Sequence, residues 1–307
     1  MSEEMALDVG PAGIAMAYER FGDPAAPAVL LVMGAGAQLV YWPEGFCAEL
    51  VGRCLQVVRF DSRDCGRSSR FPAGPDPARA GYTLSDMAAD TVGLLDALGI
   101  GAAHLVGGSL GGMVAQTVAI EHPSRILSLT SLMSGTGAPG VGRTDPGAVA
   151  GLGPPPADRA GYVAWEVRAL RAVGSPGFPF DEAEAADRAG RAYDRGLDHA
   201  GAARQLAAAA ASGDRTGRLR PVRVPTLVVH GTDDVLCDVS GGRATAAAVP
   251  GAELMIVEGL GHDLPAGLWA PLAARVAALV RRAEAGAAAA AAAGHRSGTG
   301  DRRSGRG

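Results

Sequence analysis

Ser109 stands in the run Gly107-Gly108-Ser109-Leu110-Gly111-Gly112. A G-x-S-x-G pattern has chemical meaning when a strand enters it and a helix leaves it, because that sharp turn exposes the hydroxyl. A serine hydroxyl is a weak nucleophile until a neighbouring base takes its proton and a third group orients the base. The chain offers such a base in His262, within Glu258-Gly259-Leu260-Gly261-His262-Asp263. It offers two adjacent carboxylates, Asp233 and Asp234, after His230-Gly231-Thr232. The order Ser, Asp, His is one of the known chain orders for this set. Its chemistry is acyl transfer: attack on a carbonyl, an acyl intermediate, and hydrolysis. The developing oxyanion needs N–H donors. Leu110 N–H, at the start of the helix, is one candidate, and Ala35 N–H in Met33-Gly34-Ala35-Gly36 is the second, with Gly34 next in line.

The elements around these residues have the required pattern. Residues 103–106 form an apolar strand running into Ser109, and residues 113–121 have helical spacing closed by His122 and Pro123. Residues 28–33, 55–60, 127–133, 225–230 and 253–257 read as further strands, and residues 84–98 as a helix ending at Gly99. Residues 14–21 and 28–33 suggest an opening hairpin or strand pair, punctuated by Gly22, Asp23, Pro24 and Pro27. Strands alternating with helices imply a mostly parallel sheet covered on both faces, with ligands at the C-terminal ends of the strands. His262 and the Asp233-Asp234 pair both follow strands and so belong at that edge.

Between residues 136 and 215 the rhythm breaks into Gly- and Pro-rich loops and Ala-rich helices at 181–197 and 200–211. This reads as a helical lid inserted into one domain formed by residues 1–135 and 216–283. The lid reads as poor in aromatic residues. A last amphipathic helix covers 268–283, and residues 284–307, an Ala run followed by Gly, Ser and Arg, read as a disordered tail.

Composition narrows the alternatives. At 48% hydrophobic and 20% charged residues the body of the chain reads as an ordinary soluble globular protein. The net charge of -4 arises from interspersed signs, which argues against a nucleic-acid partner. Lysine is absent, so a side-chain Schiff base is excluded. Cys47, Cys54, Cys65 and Cys237 have no C-x-x-C pairing or histidines at metal-ligand spacing, and the N-terminus lacks a basic segment followed by an apolar one. The expectations are a reduced, cytoplasmic chain with no metal, no cofactor and no membrane span, as a monomer or homodimer. Asp61, Arg63 and Asp64 form a charged cluster beside a strand end that reads as structural, fixing loops through arginine–carboxylate bonds.

Together these segments resemble the α/β-hydrolase superfamily. Val32-Met33-Gly34, the Asp61-x-Arg63-Asp64-x-Gly66-x-Ser68 run and the serine motif resemble the branch of aclacinomycin methylesterases and related bacterial serine esterases, over roughly residues 14–280. The resemblance implies the α/β-hydrolase fold. It chooses Asp234 over Asp233, since the family's acid closes an H-G-x-x-D pattern, although Val235 stands where proline usually follows. It also points to His262 as base and to Ala35, two residues beyond Met33, as oxyanion donor. The implied activity is hydrolysis of a carboxylic ester, such as a methyl or other small ester of a hydrophobic metabolite. Lactonase, thioesterase, C–C hydrolase and cofactor-free haloperoxidase activities use the same set, and a non-catalytic ligand receptor is the alternative of a different class.

Overall fold

The computed structural model describes residues 3–72 and 81–298. Eight strands make one sheet: β1 (Glu4–Val9), β2 (Ile14–Phe21), β3 (Ala28–Val32), β4 (Gln56–Phe60), β5 (Ala103–Gly108), β6 (Ile126–Leu132), β7 (Thr226–Gly231) and β8 (Glu253–Val257). Their spatial order is β1-β2-β4-β3-β5-β6-β7-β8. All pairs from β4 to β8 are parallel, and β1–β2 and β2–β4 are antiparallel. The helices are α1 (Glu44–Val51), α2 (Leu84–Ala97), α3 (Leu110–Glu121), α4 (Arg159–Val173), α5 (Glu182–Arg195), α6 (His199–Ser212), α7 (Thr216–Leu219), α8 (Ser240–Ala248) and α9 (Ala266–Gly298).

This is the α/β-hydrolase architecture, and the core shows why the central strand β3 is a continuous apolar run. Along β3, Leu30 and Val32 pack with Leu94 and Val114 on one face of the sheet. Val29 and Leu31 pack with Phe46, Leu272 and Val276 on the other. A strand whose alternate side chains are buried on both faces has no polar position left.

Two sequence expectations are corrected. Residues 14–21 and 28–33 do not pair with each other: the hairpin is β1–β2, and β2 continues onto β4. The β1 strand escaped notice because only Ala6 and Val9 are buried along it, as expected of an edge strand. The expected tail is not without structure from residue 284, since α9 runs unbroken to Gly298. Alanine has the highest helix propensity, so an Ala run attached to a packed helix extends it. Residues 299–307 of that tail lie outside the described residues, as do 1–2 and 73–80 of the expected core segments.

The insertion between β6 and β7 holds α4, α5 and α6. Each begins on an aspartate N-cap: Asp158 accepts from Gly161 N–H, Asp181 from Glu184 N–H and Asp198 from Gly201 N–H. The expectation of an aromatic-poor lid is also corrected. Tyr162 stacks with Trp165 and packs on Tyr193 and His199, with centroids 5.7–6.4 Å apart. Among the described residues no helix is long and apolar enough to cross a membrane.

Candidate active site

β5 delivers the chain to Ser109 and α3 carries it away, and the turn between them is strained. Ser109 has φ +54° and ψ -121°, a conformation that costs a non-glycine residue about 1–3 kcal/mol. Its hydroxyl does not cap the helix, and among the described residues it makes no hydrogen bond. The flanking glycines are steric necessities. A Cβ on Gly107 would lie 2.2 Å from the Gly111 carbonyl oxygen, and one on Gly111 would lie 2.0 Å from that of Val32. A Cβ on Gly108 would meet only the Trp42 ring at 3.8 Å, an ordinary contact, so the middle glycine is free of this constraint.

The loop after β3 comes to the same point. A Cβ on Gly34 would sit 3.0 Å from Ser109 Cβ and 3.5 Å from its Oγ. Among the described residues neither Ala35 N–H nor Leu110 N–H has a backbone partner, while Gly112 N–H and Met113 N–H bond back to the Ser109 carbonyl. Leu110 N–H is thus an unspent donor at the positive end of α3, next to the serine, and Ala35 N–H is a second one, one residue beyond Gly34.

Of the two adjacent carboxylates, only Asp234 meets His262. The His262 Nδ1 lies 2.9 and 2.8 Å from the two oxygens of Asp234. An N–H between two carboxylate oxygens must donate, so Nδ1 carries the proton and Nε2 is the basic nitrogen of the neutral ring. Asp233 is turned to the surface and accepts instead from Thr232 Oγ1 at 2.6 Å.

Asp234 is held further by the Leu236 and Cys237 N–H groups, at 3.0 and 2.9 Å. Burial alone would raise its pKa. Hydrogen bonds from His230, His262 and Cys237 N–H outweigh that and hold it well below the usual carboxylate range. His230 is a contributor that sequence reasoning missed. Its Nε2 lies 2.6 Å from the Cys237 carbonyl and 3.3 Å from Asp234 Oδ2, entirely buried. The signal was its position four residues before the acid, at the end of a buried strand. Nearby, burial pushes the Cys237 thiol up to about 12, so no thiolate arises beside Asp234.

The β7 and β8 loops meet because Gly231 has no side chain: a Cβ there would lie 1.9 Å from the Leu260 carbonyl oxygen. The insertion supplies the remaining hold. His262 N–H donates to the Val173 carbonyl at 2.7 Å and Gly177 N–H to that of Gly259 at 2.9 Å. Ser175 Oγ accepts from Gly261 N–H at 2.9 Å and donates to Asp263.

The Asp61, Arg63 and Asp64 cluster ties the loop after β4 to the rest of the molecule. Asp61 accepts from Leu39 N–H at 2.7 Å and from Arg195, Arg63 grips Asp90 at 2.6 and 2.8 Å, and Arg204 grips Asp64 with two bonds of 2.8 Å. A cleft of about 450 Å³ opens at Asp234, between Arg143, Asp145, Asp233 and Asp238, and neither Ser109 nor His262 lines it. Among the described residues no three His, Cys, Asp or Glu side chains gather as a metal ion would require.

Comparison with known proteins agrees with this architecture. Residues 27–265 match the family model described as alpha/beta hydrolase fold. The chain is 31% identical over 294 residues to the rhodomycin D methylesterase DnrP of Streptomyces peucetius, covering 86% of this chain and 94% of that protein. It is 30% identical over 292 residues to rhodomycin D methylesterase DauP of Streptomyces sp. (strain C5), with the same coverage. Its structure superposes on that of a hydrolase from Pseudomonas aeruginosa PA01 with a TM-score of 0.66 at 26% identity, covering 91% of this chain and 97% of the other.

Proposed function

This chain belongs to the alpha/beta hydrolase family, and on that premise we propose that it is a serine hydrolase that cleaves a carboxylic ester through an acyl-enzyme on Ser109. The observation that carries this reading is the buried pairing of His262 Nδ1 with Asp234, at 2.8 and 2.9 Å, on the sheet edge where the strained Ser109 turn stands.

In the reaction His262 Nε2 takes the Ser109 proton as Oγ attacks the ester carbonyl. The carbonyl oxygen becomes an oxyanion and is held by Leu110 and Ala35 N–H. Asp234 stabilises the imidazolium that forms. Collapse of the tetrahedral adduct expels the alcohol, which leaves with the proton from His262. Water then repeats the sequence on the acyl-enzyme and releases the carboxylic acid. No step requires a metal or an organic cofactor. Among the described residues Ser109 Oγ and His262 Nε2 make no hydrogen bond, and catalytic hydrogen bonds are often long in unliganded sites.

The methylesterase relatives favour a methyl or other small ester of a hydrophobic metabolite. The test is hydrolysis of p-nitrophenyl esters of rising chain length alongside methyl esters of aromatic acids. Turnover of both by the wild type supports the reading, and a folded wild type that hydrolyses neither overturns it.

A further inference from the structure

Helix α6 of the insertion reaches into the loop that carries one oxyanion donor. Gln205 is buried at 1% exposure. Its Oε1 accepts from Gly36 N–H at 2.8 Å and its Nε2 donates to the Arg63 carbonyl at 2.6 Å. These partners fix the orientation of the amide, since an N–H calls for the oxygen end and a carbonyl for the nitrogen end.

Gly36 has φ +67°, and a Cβ on it would lie 2.6 Å from Ala202 Cβ. Ala202 and Gln205, three apart on one helix face, therefore press directly on the Ala35–Gly36 peptide. The helix is itself anchored to the core. Arg204 grips Asp64, and a Cβ on Gly201 would lie 2.2 Å from the Asp64 carbonyl oxygen. The other end of the loop is held as well: Gln38 Nε2 donates to the carbonyls of Ala192 and Gly196 at 2.8 and 2.9 Å, and Gln38 Oε1 accepts from Arg195 Nε at 2.8 Å.

We propose that Gln205 is a positioning residue for the oxyanion loop: its carboxamide holds the Ala35–Gly36 peptide so that Ala35 N–H faces the oxygen that becomes negative. The proposal rests on the serine-hydrolase reading above. The held peptide plane begins at the Cα of Ala35, one bond from the N–H in question. A donor that drifts is missed most when the charge is largest, so the loss falls on kcat rather than on KM.

The experiment compares wild type, Gln205→Met and Gln205→Glu as full-length chains. It measures kcat and KM on p-nitrophenyl butyrate across pH, the inhibition constant of a trifluoromethyl ketone, which forms a tetrahedral adduct bearing an oxyanion, and the Tm. Removing an oxyanion donor outright costs roughly 10²–10³ in kcat, so displacing one through Gln205→Met is expected to cost about 10- to 100-fold. Affinity for the ketone should fall by a similar factor, with KM within about twofold of wild type. The Gln205→Glu to wild-type ratio of kcat should rise as pH falls, because a protonated carboxyl again offers one acceptor and one donor to the same partners. The Gln205→Met ratio should stay flat.

A folded Gln205→Met chain with wild-type kcat and ketone affinity, or a loss confined to KM, overturns the positioning role. If Gln205→Met does not fold, the Gln205→Glu ratio decides, and a ratio that does not rise on acidification overturns the role. A wild type that neither turns over the ester nor reacts with a fluorophosphonate overturns the serine-hydrolase reading and this proposal with it. An active, labelled wild type indifferent to Gln205 overturns the positioning role alone.

Discussion

Around Ser109 the backbone is shaped by the residues of its own turn and by the neighbouring strand end: Gly107 against Gly111, and Gly111 against Val32. Around His262 it is shaped by residues far away in sequence. Ser175, 86 residues before Gly261, accepts its N–H, and Val173 accepts that of His262. The Ser109 turn is thus written into a short motif. The His262 loop depends on the insertion folding against the core. A region built locally tolerates changes elsewhere, while one built by distant contacts fails whenever either partner moves.

The comparison can be broken most severely at Ser109, the proposed nucleophile. Ser109→Ala is expected to abolish ester turnover, a loss on the order of 10⁶ in kcat, with Tm retained because the side chain contributes little packing. Steady-state kinetics and thermal unfolding of the same preparation check both halves. Gly107→Ala should instead cost the fold: its Cβ would meet a carbonyl oxygen at 2.2 Å, and loss of soluble protein or a large drop in Tm is the expected reading.

At the base, Asp234→Asn should lower kcat by about 10⁴-fold, the size seen where an orienting carboxylate is replaced in serine proteases. Asp233→Asn should leave kcat nearly unchanged, and a larger loss at Asp233 would reverse the assignment of the acid. Ser175→Ala removes the hold on Gly261 without touching the reacting groups. An activity loss of about tenfold and a stability loss of about 1 kcal/mol are expected by chemical denaturation.

The smallest effect concerns pH. The Asp234 carboxyl is held below its unfolded value despite its burial, because His230, His262 and Cys237 N–H stabilise the anion. The unfolded chain therefore binds the proton first as pH falls. The stability this group contributes is full above about pH 5 and is lost below about pH 4 as the folded pKa is approached. Denaturant unfolding between pH 3 and 7 should show that slope in wild type and a shallower one in Asp234→Asn.

The same contrast explains what was legible from sequence. The strand–serine–helix motif, the H-G-x-x-D pattern and the strand before His262 are local, and the structure puts His262 on Asp234, the acid the family resemblance chose. The grip of Ser175 on the histidine loop and of Gln205 on Gly36 left no local trace, because a hydrogen bond across 86 or 169 residues has no periodicity to read. Helix α4 follows a stretch of glycines and prolines that hides its periodicity, although its Asp158 cap is a readable signal. Strand β1 has no alternating signal, because only Ala6 and Val9 of its six residues are buried.

The most direct test of the central claim is intact-protein mass spectrometry after incubation with a fluorophosphonate, comparing wild type with Ser109→Ala. One covalent adduct on wild type and none on the variant is the expected result, since only a serine activated by His262 and flanked by oxyanion donors reacts this way. No adduct on a folded wild type, or an equal adduct on Ser109→Ala, would contradict the account.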